Sequence, residues 1–196
     1  MNSKRFISVL FFGLVFFMSV SAQAVPVTGT LNLTGDVQID ATHFNWFPVA
    51  VGTGTFTVGS TSTGNFIALR GSSGVVLDLN LGVPIPPTLN NYLVFSANPD
   101  LRFDLNLIFP GATFGPLTLT DTATGVNLAW QVRTTAVRIS TGERTRYTGT
   151  YSSQFIGISS AQLLAVLRSG GSISLTYSAR FSPCPAIAPL LLLLLN

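Results

Sequence analysis

The sequence predicts an all-β protein, an antiparallel β-sandwich of jelly-roll type with one short helix. Three observations predict it. Apolar and polar residues alternate with period two over long stretches, as in strands with one buried and one wet face. Clusters of Gly, Pro, Asn and Asp interrupt these runs at short intervals, as turns do. Charged residues make up only 9% of the chain, against about 25% in an average soluble domain, so Thr, Ser, Asn and Gln must supply most of the polar surface.

The elements follow in chain order. Lys4 and Arg5 precede an apolar run from Phe6 to Met18, and small residues then lead to Ala22-Gln23-Ala24. A positive end, a short apolar core and an A-x-A exit define a secretory signal peptide over residues 1–24. Signal peptidase then cuts between Ala24 and Val25. This places the mature protein outside the cytoplasm, in the medium, at the cell surface or in the periplasm. Removing 24 of the 196 residues leaves 172, enough for one domain with its own core. The β-domain spans residues 25–181. Lys4 and Arg5 leave with the signal, so eight arginines face seven acids and no lysine remains. That is no basic stripe, and nucleic acid is excluded as a partner. With Cys184 the single cysteine, an intrachain disulfide is excluded as well.

Within the domain, Val27, Leu31, Leu33, Val37 and Ile39 fall on one face of the first strand, with Asn32, Thr34, Asp36 and Gln38 on the other. Strands are expected at 44–47, 53–58, 75–80 and 92–96. Another follows at 101–109, where Leu101, Phe103, Leu105, Leu107 and Phe109 alternate with Arg102, Asp104 and Asn106. After a strand at 116–121 comes the clearest hairpin, 126–139 with 143–155. A two-residue Thr141-Gly142 turn would set Val132 opposite Tyr151 and Ala136 opposite Tyr147, with both inward sets in agreement. Val137 and Ile139 break the alternation, which predicts a bulge or a sheet end. Ser159 and Gln162 have capping-box spacing. Leu163, Leu164 and Leu167 then make a helical stripe that Gly170-Gly171 stops. The helix should cover one open end of the sandwich. Ile173, Leu175, Tyr177, Ala179 and Phe181 complete the last strand.

Chemistry is sparse. His43 is the one side chain with an ordinary pKa near neutrality, and it lacks a triad partner or a nucleophile motif. His43, Asn45 and Phe47 share a strand face opposite Phe44 and Trp46, which makes them the candidate ligand-binding residues. The same spacing also describes a plain polar face beside a packed Trp. Zinc needs clustered Cys and His, and calcium needs dense oxygen donors. Neither pattern occurs, so no metal, cofactor or catalytic residue is assigned. Arg133, Arg144 and Arg146 point outward on the long hairpin, where they can touch an anionic polymer or simply keep a Thr-rich sheet soluble.

After Phe181, Pro183-Cys184-Pro185 opens a Pro/Leu-rich tail over residues 182–196 whose apolar stretch is half the roughly 20 residues needed to span a bilayer. A signal, a Ser/Thr/Gly-rich β-domain, a Pro-x-Pro step and a leucine-rich end together resemble bacterial exported proteins of the PEP-CTERM class. The stretches Gly52-Thr-Gly-Thr-Phe-Thr-Val58, Leu101-Arg-Phe-Asp-Leu105 and Tyr147-Thr-Gly-Thr-Tyr151 are similar to β-domain members of that class. The resemblance implies export and sorting by an exosortase-type membrane peptidase, often in organisms that make extracellular polysaccharide. It implies no catalytic activity. Cys184 stands where the class has Glu, and terminal arginines are missing, so the tail reads as a degenerate or truncated sorting signal. The expected function is a non-enzymatic surface or extracellular-matrix protein associated with exopolysaccharide. The alternatives are a carbohydrate-binding module at His43, Asn45 and Phe47, and a hydrolase whose carboxylate pair converges only in three dimensions.

Overall fold

Strict alternation makes strands, and in the computed structural model the described residues form eleven of them: β1 (Leu31–Ile39), β2 (His43–Trp46), β3 (Thr53–Val58), β4 (Ser73–Leu77), β5 (Leu79–Asn80), β6 (Leu89–Phe95), β7 (Asn98–Ile108), β8 (Thr118–Thr122), β9 (Gly125–Arg138), β10 (Glu143–Ile156) and β11 (Ile173–Pro183). One helix, α1 (Ser160–Arg168), joins β10 to β11. Residues 25–48, 52–81 and 88–185 are described. Ala22, Ala24, the expected turn at 84–87 and the tail beyond Pro185 lie outside them.

The expected two-layer jelly-roll sandwich is corrected to a closed barrel. β1 pairs with β11 along its whole length, from Leu31 opposite Phe181 to Ile39 opposite Ile173. That pairing joins the first strand to the last. Around the ring the order is β1, β3, β4, β6, β7, β9, β10, β11, every contact antiparallel and each stave beside its neighbour in sequence. This is an eight-stranded up-and-down barrel, in which closure removes the edges a sandwich would leave. The other three strands extend staves. β2 and β3 both pair with β1, so they are two pieces of one stave parted by residues 47–52. β7 and β8 divide the length of β9 in the same way. β5 follows β4 past Asp78 and pairs with β2.

The inward face of each stave fills the interior. Eight strands leave a bore that side chains can occupy completely, and large aromatic rings occupy this one. Trp130 stacks on Tyr151 at 4.8 Å with the planes 5° apart. Trp46 meets Tyr177 edge-on at 4.9 Å, and Phe44 meets Trp130 at 5.1 Å. Further along, Phe103 packs against Tyr147, Phe181 and Phe95. A 3-10 turn, Gly64–Leu69, inserts Phe66 into that second group. The inward position 149 on β10 is held by glycine, where a Cβ would stand 2.4 Å from the Phe181 ring. Gly54 likewise lets β3 pass against Trp46.

α1 begins as expected, with a complete capping box between Ser159 and Gln162 and with Leu163 and Leu167 buried in the core. It docks beside β8, where Asp121 accepts hydrogen bonds from the Ser160 N–H at 2.7 Å and its hydroxyl at 2.8 Å.

The β9–β10 register differs by two residues from the expected one. Arg138 faces Glu143, Ala136 faces Thr145 and Trp130 faces Tyr151, so the loop has four residues, 139–142, in place of two. The cause is Asp100, whose carboxylate accepts the Ser140 N–H at 2.6 Å and the Ser140 hydroxyl at 2.7 Å. That grip holds Ser140 out of the ladder. An even shift keeps every side chain on its face, so the inward set is unchanged. The ladder between β9 and β10 runs without a bulge, and β9 ends at Arg138.

Candidate functional site

The outward faces of β1, β11 and β10 form one polar strip. Barrel closure sets Thr34 beside Ser178, Asp36 beside Thr176 and Asn32 beside Arg180. Thr150 and Ser152 on β10 then flank Arg180 and Ser178 from the other side. From Ser174 to Arg180 the strip runs roughly 20 Å at the usual rise per residue.

Two hollows mark its ends. A groove of about 480 Å³ lies over Thr34, Thr150, Ser178 and Arg180, with Ser60 and Thr61 as its wall. The wall is tied down: the Gly59 N–H donates to the Asn32 carbonyl at 2.7 Å, and Ser62 Oγ accepts the Asn32 N–H at 3.0 Å. The second hollow, about 330 Å³, is lined by Asp36, Phe47, Ser174, Leu175 and Thr176. There the Thr176 hydroxyl donates to Asp36 Oδ1 at 2.6 Å. Phe47 is fixed at the rim, its N–H donating to the Asp36 carbonyl at 3.0 Å and its carbonyl accepting the Thr55 N–H at 2.8 Å. The strip therefore offers hydroxyls, one carboxylate, one guanidinium and one aromatic edge on a stiff backbone.

The three candidate residues separate in the structure. Phe44 and Trp46 are fully buried, and His43, Asn45 and Phe47 face outward, as alternation requires. Phe47 joins the strip. His43 serves the β1–β2 turn, its Nδ1 lying 2.8 Å from Thr42 Oγ1 and 3.3 Å from Asp40 Oδ1. Burial pushes the Asp40 carboxyl up, but hydrogen bonds from Thr42 and His43 outweigh it and leave the group below its ordinary value. Asn45 sits opposite Gln38 on the same strand pair. Neither His43 nor Asn45 lines the Phe47 hollow. Of the proposed processing residues, Val25 is exposed. Pro183-Cys184-Pro185 continues the wall, with Pro183 opposite Tyr147 and the Cys184 N–H donating to the Arg146 carbonyl at 2.8 Å.

Each of the seven carboxylates has a structural partner. Asp36 holds Thr176, Asp40 the β1–β2 turn, and Asp78 the Trp46 N–H. Asp100 holds Ser140, and Asp121 caps α1. Asp104, fully buried, receives the Asn91 N–H at 2.9 Å and lies 3.2 Å from the Arg102 guanidinium. Glu143 lies 3.7 Å from Arg138. Among the described residues, no three of His, Cys, Asp and Glu gather as a metal site.

The strip was not legible in the sequence because its residues come from opposite ends of the chain. Thr34 and Ser178 each announce a wet strand face, and nothing local announces that the faces adjoin. No protein family, curated protein or solved structure matches the chain. The fold and site define a closed up-and-down barrel with a packed aromatic bore and a hydroxyl-lined outer face. A membrane-spanning barrel shows the reverse pattern, apolar outward.

Proposed function

We propose that this chain is an exported, non-enzymatic barrel protein that associates with extracellular polysaccharide at a bacterial surface through its outer wall. The observation that carries the reading is the strip across β1, β11 and β10, where hydroxyls, Asp36 and Arg180 line two open hollows of about 330 and 480 Å³. Sugars are bound by many directed hydrogen bonds supplemented by an apolar contact, and Phe47 supplies that contact at one end. The engagement of all seven acids in turns, caps and pairs supports a structural duty for them rather than a catalytic one. The packed bore supports an external site rather than an enclosed one.

The signal-like first 24 residues support export, which would put the wall where glycans are. Signal peptidase is the partner for that segment. Recognition of Pro183-Cys184-Pro185 by an exosortase-type peptidase would require the end of β11 to separate from β10, since a protease takes an extended strand and this one is already paired.

A carbohydrate-binding module in the strict sense is favoured over a passive matrix protein by one observation, the hollow that Phe47 shares with Asp36 and Thr176. Binding of the purified protein to an array of bacterial and plant glycans tests both. Phe47→Ala should weaken binding about tenfold if the hollow is a defined subsite, and His43→Ala should leave it unchanged. Failure to retain any glycan would refute the function proposed here.

A further inference from the structure

We infer that the polysaccharide is acidic, and that an arginine quartet on β9, β10 and β11 selects it. The inference rests on the glycan-binding reading above and names the ligand class of that surface.

Arg133 on β9, Arg144 and Arg146 on β10, and Arg180 on β11 all point outward and are exposed. Register fixes their arrangement. Arg133 faces Thr148, Arg146 faces Thr135, and Arg180 faces Thr150. Arg133 and Arg146 are thus diagonal neighbours, about 7–8 Å apart. From Arg144 to the level of Arg180 the patch runs roughly 20 Å along β10. Arg133 lies over the Phe109 ring at 5.1 Å. This contact restrains its stem and leaves the guanidinium edges free to bond.

None of the four makes an ion pair among the described residues. The ion-paired arginines are Arg102 with Asp104 and Arg138 with Glu143, and Arg70 donates to the Ser62 carbonyl. The acids on the neighbouring strands are committed elsewhere, Glu143 to Arg138, Asp104 to Arg102 and Asp36 to Thr176. Four like charges on one wall repel each other, and a polyanion laid across them relieves that repulsion. Guanidinium forks suit carboxylates in particular, because two parallel N–H bonds meet two oxygens.

The ground between the arginines decides the kind of polyanion. Thr148, Thr150, Ser182 and Gln131 fill it, all able to bond ring hydroxyls. Single-stranded nucleic acid wants a row of aromatic platforms on which bases stack, whereas the ring beside the quartet, Phe109, is already covered by Arg133. An anionic membrane surface wants a cluster of apolar residues that enter the interface, and beside the quartet stand Leu107, exposed opposite Arg133, and the part-buried Phe109, too few for such a cluster. A linear polyuronate, with one carboxylate and several hydroxyls per sugar, matches both the charges and the hydroxyls.

The test measures binding of the purified protein to polygalacturonate, to dextran, to polyglutamate, to single-stranded DNA and to phosphatidylglycerol vesicles. The comparison protein carries R133Q, R144Q, R146Q and R180Q, exposed changes that should leave the thermal midpoint in place. Polygalacturonate should bind best, lose at least about tenfold in affinity in the variant, and weaken as salt rises. Equal binding of dextran, unaffected by the variant, would overturn the acidic assignment and leave the glycan-binding function standing. Retention of no glycan would overturn both. Stronger binding to polyglutamate, DNA or vesicles would show a surface for another polyanion and refute the inference.

Discussion

At the residue scale the tyrosines report most directly on the bore. All four are buried, with Tyr92 and Tyr151 hydroxyls 2.8 Å apart and the Tyr147 hydroxyl donating to the Val27 carbonyl at 3.0 Å. Burial raises the pKa of each well above its ordinary value. In the unfolded chain they ionise near pH 10, while in the barrel they stay protonated. Stability from this source is therefore complete below pH 10 and falls as pH rises beyond it, by about 1.4 kcal/mol per tyrosine per pH unit. Urea unfolding at pH 8, 10 and 11 should show a flat response and then a steep loss. Ultraviolet titration should show tyrosinate only as the fold is lost. Gly149 offers a second check. Gly149→Val drives a branched side chain into the Phe181 ring and should cost about 1–3 kcal/mol, read as a lower urea midpoint. The burial of these residues was legible beforehand, since period-two alternation had already assigned Tyr147, Tyr151 and Tyr177 to the inward face. The acids were less legible. Their partners are residues such as Ser140 and Ser160, 40 and 39 positions away.

At the element scale, two carboxylates hold connections in place. Asp121 receives the first free N–H of α1, and Asp100 holds Ser140 in the β9–β10 loop. Hydrogen bonds from these serines keep both carboxyls below their ordinary value. Such a depressed group contributes stability above its unfolded pKa, about 3.9, and the contribution disappears as pH falls through the folded value. Asp121→Asn should release the start of α1, seen as faster amide exchange at Ser160 and its neighbours with the barrel amides still protected. Asp100→Ala should speed exchange at Ser140 and free the loop to tighten toward the two-residue turn that Thr141-Gly142 suggests. The strand positions and the capping box were readable because their signals are local: alternation, a turn, a cap three residues from its partner. The 3-10 turn at 64–69 was not readable, since Gly64-Asn-Phe-Ile-Ala-Leu69 is too short to show a period and forms by plugging the bore with Phe66.

At the scale of the whole molecule, the difference between sandwich and barrel is one pairing, β1 with β11. The same alternating strands satisfy either architecture, because both bury one face and wet the other. What distinguishes them is a contact between segments about 140 residues apart, such as Asp36 with Thr176, and alternation carries no signal for that. The functional strip inherits the same dependence, since Thr34, Asp36, Ser178 and Arg180 adjoin only because the barrel shuts. Opening the seam should therefore remove glycan binding before it unfolds the core. On β11 the odd-numbered residues face β1 with their backbone groups, since the Thr176 and Ser178 carbonyls face β10. Ala179→Pro therefore deletes a ladder hydrogen bond of the seam and should abolish retention on the polysaccharide column. The seam can also be observed directly. In solution NMR, nuclear Overhauser contacts should connect β1 with β11 in the register that runs from Leu31–Phe181 to Ile39–Ile173, with slow amide exchange along both strands. Unprotected amides on β1 and β11, with contacts only to their other neighbours, would mean an open sheet and would contradict the barrel and the surface built on it.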